Sequence, residues 1–178
     1  MGVWRERERQ TVGDYRIFRV ERSVAESPAD GSAHTFYRIL SADWAQIVPV
    51  TPAGEIVMIR VFRHGSGRTS LEVPGGLVEP GEEPAATAAR ECLEETGYRA
   101  DDVRPLAALN PNPALFANTL HAFCAFGVVA AAPIRNDPTE HTEVVLVPRS
   151  DLRPLLRSGA VDHALIAATL WQFLDRYG

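Results

Sequence analysis

Apolar residues cluster in short runs through the middle of this chain, while polar and charged residues dominate its first forty positions. Ala45–Thr51 and Ile56–Phe62 are apolar, β-branched runs around the turn sequence Pro52-Ala-Gly-Glu55, and they predict the first two core strands. A shorter strand is predicted at Leu71–Val73, ended by Pro74-Gly75-Gly76. The helix signal follows at Glu82-Glu83-Pro84. Pro84 suits a first helical turn, where its missing N–H costs nothing, and Gly97 is the natural stop of a helix running to about Thr96. Val103–Leu109, Leu120–Val129 and Glu143–Val147 read as further strands. Ser150–Arg157 and Asp162–Tyr177 read as helices, with Ser150 and Asp162 as N-caps. Two stripes recur at helical spacing in the last helix, Leu165/Ala168/Trp171 and Ile166/Leu170/Phe173/Leu174, and one of them is core. Before all this, Tyr15–Val24 and Phe36–Leu40 are β-rich on either side of the turn-forming stretch Glu26–Ser32. This hairpin-like unit is too small to stand alone.

With 178 residues and 46 % hydrophobic content, the chain can bury one good α/β core and carry a small N-terminal appendage. The predicted division is an N-terminal β unit over 1–43 and a main domain over 44–178. The net charge of −5 and the absence of a dense basic stretch argue against nucleic acid as a partner. All 18 basic residues are Arg, which removes Schiff-base lysines and Lys-dependent phosphate loops from the options. The longest uncharged apolar run, Ala122–Ile134, is 13 residues and contains Gly and Pro, too short for a membrane span. Residues 1–10 lack an apolar signal core, and only Cys92 and Cys124 occur, so a cytoplasmic, reducing setting is expected.

The chemistry concentrates between Glu72 and Glu95, where seven glutamates face one basic residue, Arg90. Glu91 and Glu95 are i and i+4 on one helix, with Glu94 beside them, so like charges share a face and repel. A solvated helix face is one way to tolerate them. A hard divalent cation such as Mg²⁺ or Mn²⁺, which prefers carboxylate oxygen, is the other. Arg90 can neutralise a neighbour, most simply Glu94 one turn on or Glu82 across the loop.

Gly76, five residues, Glu82, seven residues, and then Arg90-Glu91-Cys92-Leu93-Glu94-Glu95-Thr96-Gly97-Tyr98 resembles the Nudix hydrolase box at every constrained position. Cys92 fills an aliphatic slot and is read as a small buried side chain. The early Trp4, the strand ending in Phe62-Arg63 and the segment Leu71-Glu-Val-Pro-Gly-Gly76 look like the ADP-ribose and nucleotide-sugar pyrophosphatase branch. One departure is Val61, where that branch usually has Gln. The resemblance implies a Nudix-type α/β/α sandwich around a mixed sheet, with the N-terminal β unit exchanged between subunits of a homodimer. It implies hydrolysis of a nucleoside diphosphate linked to another moiety, ADP-ribose or a nucleotide sugar. A hydrolase of free or oxidised nucleoside triphosphates and a non-catalytic nucleotide-binding module are the alternatives.

By the same resemblance Glu91 and Glu95 are metal ligands, Glu94 is a ligand or bridging partner, and the Gly75 carbonyl is a further ligand. Arg90 orients the glutamates, and Glu82 either holds Arg90 or lies near the metals. A late loop, Asp137–Glu143, is where this branch carries a water-orienting carboxylate. Glu140 is the candidate and Glu143 its competitor, while His141 is read as solvent-facing. Arg63 is a candidate two-pronged phosphate contact. Trp4 packs at a dimer seam or stacks on a base. Asn118 and His121, after the Asn110–Ala114 loop, are candidates for choosing sugar or base, although turn chemistry alone explains the Asn-Pro pairs.

Overall fold

The charged start of the chain is a strand. In the computed structural model, which describes residues 2–178 and so leaves Met1 of the predicted 1–43 unit outside the described residues, β1 (Arg5–Tyr15) pairs antiparallel with β2 (Phe18–Glu26), and β2 with β3 (Ala33–Ser41). Tyr15 therefore closes β1 rather than opening a strand of its own. The sequence hid β1 because its residues alternate in charge, not in hydrophobicity. Beside the backbone ladder its side chains pair ionically: Arg7 meets Glu26 at 2.7 Å, and Arg22 meets Glu8 at 3.1 Å. Arg38 of β3 likewise meets Glu21 of β2 at 2.7 Å.

The chain divides into two units, one formed by residues up to Ala42 with Asn110–Thr119, the other by Asp43–Leu109 with Leu120–Gly178. In the first, Ile39 of β3 exchanges backbone hydrogen bonds with the 110–119 segment: its N–H donates to the Leu115 carbonyl at 2.7 Å, and its carbonyl accepts from Ala117 at 3.2 Å.

In the second unit β4 (Trp44–Val50), β5 (Glu55–Arg63), β6 (Arg68–Glu72), β7 (Gly75–Leu77), β9 (Val103–Leu109), β10 (Leu120–Phe126) and β12 (Thr142–Pro148) form one mixed sheet; β8 (Tyr98–Arg99) and β11 (Val129–Ala130) make a separate ribbon. β10 runs parallel to β4, and the other pairings are antiparallel. Side chains of a strand alternate between faces, and here both faces are covered. Val48, Ile56, Met58, Ala122 and Cys124 point into a core with α2 (Arg149–Arg157) and α3 (Ala164–Tyr177). Ile47, Val57, Phe123 and Ala125 point the other way, onto α1 (Pro84–Thr96). Burial on both faces is why β4 and β5 read as continuous apolar runs. The result is the α/β/α sandwich implied by the resemblance.

Of the two stripes on α3, Ile166, Leu170, Phe173 and Leu174 are buried, whereas Trp171 is exposed. The predicted caps differ. α2 starts behind Pro148 with Ser150 already inside the helix, and α3 is capped by His163, whose Nδ1 accepts from the Leu165 N–H at 3.3 Å. Asp162 instead pairs with Arg68 at 3.1 Å. Among the described residues no helix is long and apolar enough to cross a membrane.

β4 and β5 pair in the ladder at Val50–Ile56, next to the turn, and then part. β7 lines the first part of β4, from Trp44 to Gln46, and β6 lines the last part of β5, from Ile59 to Arg63. The split carries Gly75 and Gly76 onto the sheet face that α1 covers.

Candidate active site

α1 forms where the sequence places it, opening on Pro84 and ending at Gly97, whose φ of 74° is the left-handed conformation that favours glycine. A side chain there would also collide with the Ala132 carbonyl, 2.3 Å from the site of a Cβ. Thr87, Ala88, Cys92, Glu95 and Thr96 are its buried residues. Helical periodicity thus drives one carboxylate, Glu95, into the interior at 3 % exposure, beside its less buried neighbours Glu91 and Glu94.

Arg90 ties three of the glutamates together. Its Nε and one terminal nitrogen donate to the two oxygens of Glu82 at 3.1 Å each, while its other terminal nitrogen reaches Glu91 at 2.8 Å and Glu94 at 3.0 Å. A planar guanidinium with several donors can do this, where an ammonium could not hold the same geometry. Both expected partners of Arg90, Glu82 and Glu94, are engaged, and Glu91 as well. These bonds, with a 2.7 Å bond from the Thr87 hydroxyl, hold the Glu82 carboxyl down at about 2.

Glu95 lies deeper and has no such partner. Its Oε2 accepts the Gly75 N–H at 2.8 Å. Burial, offset in part by that bond and reinforced by the charges of Glu91 and Glu140, pushes its pKa up to about 8. Burial also raises Glu91, against the pull of Arg90.

The glycines before the helix are required by contact. A Cβ on Gly75 would stand 2.4 Å from the Ala45 carbonyl oxygen and 2.7 Å from the Gln46 Cβ; one on Gly76 would stand 2.3 Å from the Glu91 Oε1. At Gly75 only bare backbone lets β7 lie against β4, and at Gly76 a side chain would have to push the Glu91 carboxylate aside.

Arg63 closes the other side of the cluster. Its Nε and one terminal nitrogen donate at 2.9 Å each to the two oxygens of Glu72, a carboxylate only 1 % exposed. The fork expected to grip phosphate thus grips Glu72, and the remaining terminal nitrogen faces Glu140 at 3.7 Å. Burial acts to raise the Glu72 pKa, but the bonds to Arg63 outweigh it and the net shift is downward. Chain order alone assigns Glu72 no role among the seven glutamates. Its rung partner across the β5–β6 ladder is Ile59, so no register argument could have joined it to Arg63. Glu143 sits elsewhere, exposed on β12 against Arg60 at 3.6 Å.

The late loop is fastened to the end of α1. The Thr142 hydroxyl, with one proton to donate, lies within hydrogen-bond distance of the Glu95 carbonyl at 2.7 Å and of the Asn136 side-chain oxygen at 2.9 Å, and the Arg135 N–H donates to the Glu94 carbonyl at 2.7 Å. Neither Thr142 nor Arg135 belongs to the box, and sequence reasoning passed over both.

Of the remaining candidates, His121 Nε2 lies 3.0 Å from an Asp43 carboxylate oxygen. Asn118 is 4 % exposed and donates its amide to the Ala42 carbonyl at 3.0 Å, while its Oδ1 is buried without a partner among the described residues. Trp4 stands edge-on to His34 and Phe36 on the N-terminal sheet, with ring centroids 5.6 and 5.1 Å apart. Asn112 makes the expected turn, its Oδ1 accepting from the Ala114 N–H at 3.2 Å.

The donor set fits a divalent cation by its chemistry. Glu91, Glu94 and Glu95 offer hard carboxylate oxygens on one helix, and Glu95, deeply buried, is bonded to the Gly75 N–H and has no ion-pair partner among the described residues. Among the described residues no group of three or more acidic, His or Cys side chains is already converged on one point. Arg90 holds Glu91 and Glu94 on its own nitrogens, while Glu95 is bound to the Gly75 amide.

A family model of the NUDIX domain matches residues 42–170. A CMP-5'-(N-acetyl-N-hydroxy-3-aminopropyl)phosphonate hydrolase of Streptomyces rubellomurinus is 36 % identical over 160 residues, covering 88 % of this chain and 75 % of that protein. An ADP-ribose pyrophosphatase of Bacillus subtilis is 36 % identical over 130 residues, 72 % of this chain and 70 % of its own length. An ADP-sugar pyrophosphatase of Mus musculus is 33 % identical over 144 residues, 75 % of this chain and 66 % of its own length. A crystal structure of an ADP compounds hydrolase shares the fold at a TM-score of 0.88 and 24 % identity, covering 99 % of this chain and 95 % of that one. With the box helix, its glycine approach and its arginine clasp all lying inside the matched region, this chain belongs to the NUDIX hydrolase family.

Proposed function

We propose that this enzyme hydrolyses the pyrophosphate of a nucleoside diphosphate linked to a second moiety, with ADP-ribose or a nucleotide sugar as substrate and a nucleoside monophosphate and a sugar phosphate as products. The observation that carries the reading is the gathering of Glu91, Glu94, Glu95 and Glu140 around a cluster whose charges are only partly matched by Arg90 and Arg63. Mg²⁺ or Mn²⁺, held by Glu91, Glu94, Glu95 and the Gly75 carbonyl, would supply the positive charge a pyrophosphate needs and acidify the attacking water.

The chain's own residues do the rest. Arg90 keeps Glu91 and Glu94 in position, and Gly75 fixes one oxygen of Glu95. Glu140 orients the water and takes its proton; its charge already acts on Glu91 and Glu95, which supports it over the outlying Glu143. Arg63, braced by Glu72, turns its remaining nitrogen toward Glu140 and offers it to a phosphoryl oxygen of the substrate. His121 tunes the choice of sugar or base directly, and buried Asn118 acts through the shape of its loop.

The N-terminal β unit carries exposed Trp4, Val12, Tyr15, Ile17, Phe36 and Tyr37. An apolar surface of this kind favours a homodimer in which the residue 1–43 unit is exchanged and Trp4 is covered by the second copy. The two free cysteines, both buried, fit a reducing cytoplasm.

A product-resolved screen of ADP-ribose, nucleotide sugars, dinucleotides and nucleoside triphosphates with Mg²⁺ tests the substrate class. The expected result is a kcat/KM for ADP-ribose or a nucleotide sugar well above that for any triphosphate. Preferential release of inorganic pyrophosphate from a triphosphate overturns it.

A further inference from the structure

We propose that the cleft between α2 and α3 is a second anion site, built for a condensed-phosphate chain. It has a volume of about 610 Å³, and Arg149, Arg153 and Arg157 line it together with Ser150 and Leu174. The three arginines stand at i, i+4 and i+8, so they form one row on the face of a nine-residue helix. Arg60, Arg63, Arg68 and Arg90 each sit against a carboxylate. Among the described residues the three in the row have none at ion-pair distance, although the chain as a whole is acidic. Of the nearby groups, Asp151 accepts from the Ser150 hydroxyl at 3.0 Å, and Gly178, the last residue, lines the cleft beside Leu174.

Two of the guanidiniums are held by aromatic rings. Arg149 lies 5.6 Å from the centroid of Phe173, and Arg153 lies 5.7 Å from that of Trp171. Such contacts orient the cation and leave N–H groups free to donate, the geometry that suits phosphoryl oxygens. The spacing sets the ligand class. Successive arginines are about 6 Å apart along the helix axis, and the row spans about 12 Å. One orthophosphate cannot reach all three, whereas linked phosphoryl groups can.

The cleft is remote from the acidic cluster. β12 joins them: Thr142 at its start bonds the Glu95 carbonyl, and at its far end Pro148 pairs with Glu55 and leads into α2. A seven-residue strand puts about 20 Å between its ends.

Titration calorimetry of the full chain with sodium tripolyphosphate, in chelator and low salt, tests the site without involving a divalent cation. The expected result is binding that weakens as salt is added and falls at least about tenfold in the double variant Arg153→Gln/Arg157→Gln. Arg16→Gln/Arg19→Gln, which removes the same charge from the N-terminal hairpin, keeps wild-type affinity, and matched thermal midpoints show that all three proteins are folded. Absence of binding, equal loss in both double variants, or full retention in the α2 variant overturns the proposal. Orthophosphate binding as tightly as tripolyphosphate overturns the chain class. An ATP arm separates sources: tighter binding than tripolyphosphate with the same loss assigns a nucleotide tail, and equal or weaker binding with the same loss assigns inorganic polyphosphate.

Discussion

Adjacent glycines with opposite consequences give the most discriminating test of the site. Neither Gly75 nor Gly76 has a positive φ, so alanine is conformationally allowed at both, and only the contacts differ. In Gly76→Ala the new methyl would lie 2.3 Å from the Glu91 Oε1, whereas an ordinary contact begins near 3.4 Å, so the carboxylate must retreat by about 1 Å. A glutamate end is flexible and can move at little cost, which keeps the loss of stability within about 1 kcal/mol. The same movement pulls Glu91 off Arg90 and out of the proposed ligand set, and a 1 Å misplacement costs about 100-fold in rate. In Gly75→Ala the methyl meets the Ala45 carbonyl and Gln46 Cα, which are backbone and cannot yield. That overpacking costs about 1–3 kcal/mol or more, a melting midpoint lower by roughly 2–4 °C for each kcal/mol in a chain of this size. Circular dichroism melts, with ADP-ribose turnover titrated against Mg²⁺, read both effects. Gly76→Ala should melt near wild type with low turnover and a raised Mg²⁺ requirement, and Gly75→Ala should melt early. Wild-type turnover and Mg²⁺ dependence in Gly76→Ala, or a larger midpoint drop there than in Gly75→Ala, would refute the reasoning.

Glu95→Gln keeps shape and helix propensity and should cut turnover by orders of magnitude while the fold persists; near wild-type turnover at saturating Mg²⁺ would remove Glu95 from the ligands. The same variant makes a stability prediction in chelator: burial raises the folded pKa of Glu95 to about 8, so stability is fully present below the ordinary carboxylate range and is lost as pH rises through about 8. Glu95→Gln should therefore melt above wild type at pH 8 and with it near pH 4, and a constant difference at both would contradict the assignment. Glu140→Gln should lower kcat far more than it changes KM, because a group acting on the nucleophile contributes in the transition state; if Glu143→Gln does so instead, the loop is right and the residue wrong. Light scattering should give a dimer at micromolar concentration, and a fully active monomer would exclude the exchange of the N-terminal unit.

Much of this molecule was legible in order because its information is local. The boundaries of α1 follow from Pro84 and Gly97, the core strands β4 and β5 from unbroken apolar runs, and the acidic face from i, i+4 spacing on one helix. β1 was illegible because its side chains are charges that meet across strands, such as Arg7 with Glu26, and a charge row has no period pointing to a core. The pairing of Arg63 with Glu72 escaped for a related reason. The two are off register on their ladder, and only the twisted, packed sheet brings a buried carboxylate to that fork. Tertiary structure alone also decided which stripe of α3 is core, that Glu140 rather than Glu143 faces the acidic cluster, and why Gly75 admits no side chain while Gly76 admits one only by displacing Glu91. Each of those depends on what stands opposite in space, a quantity that distance along the chain does not carry.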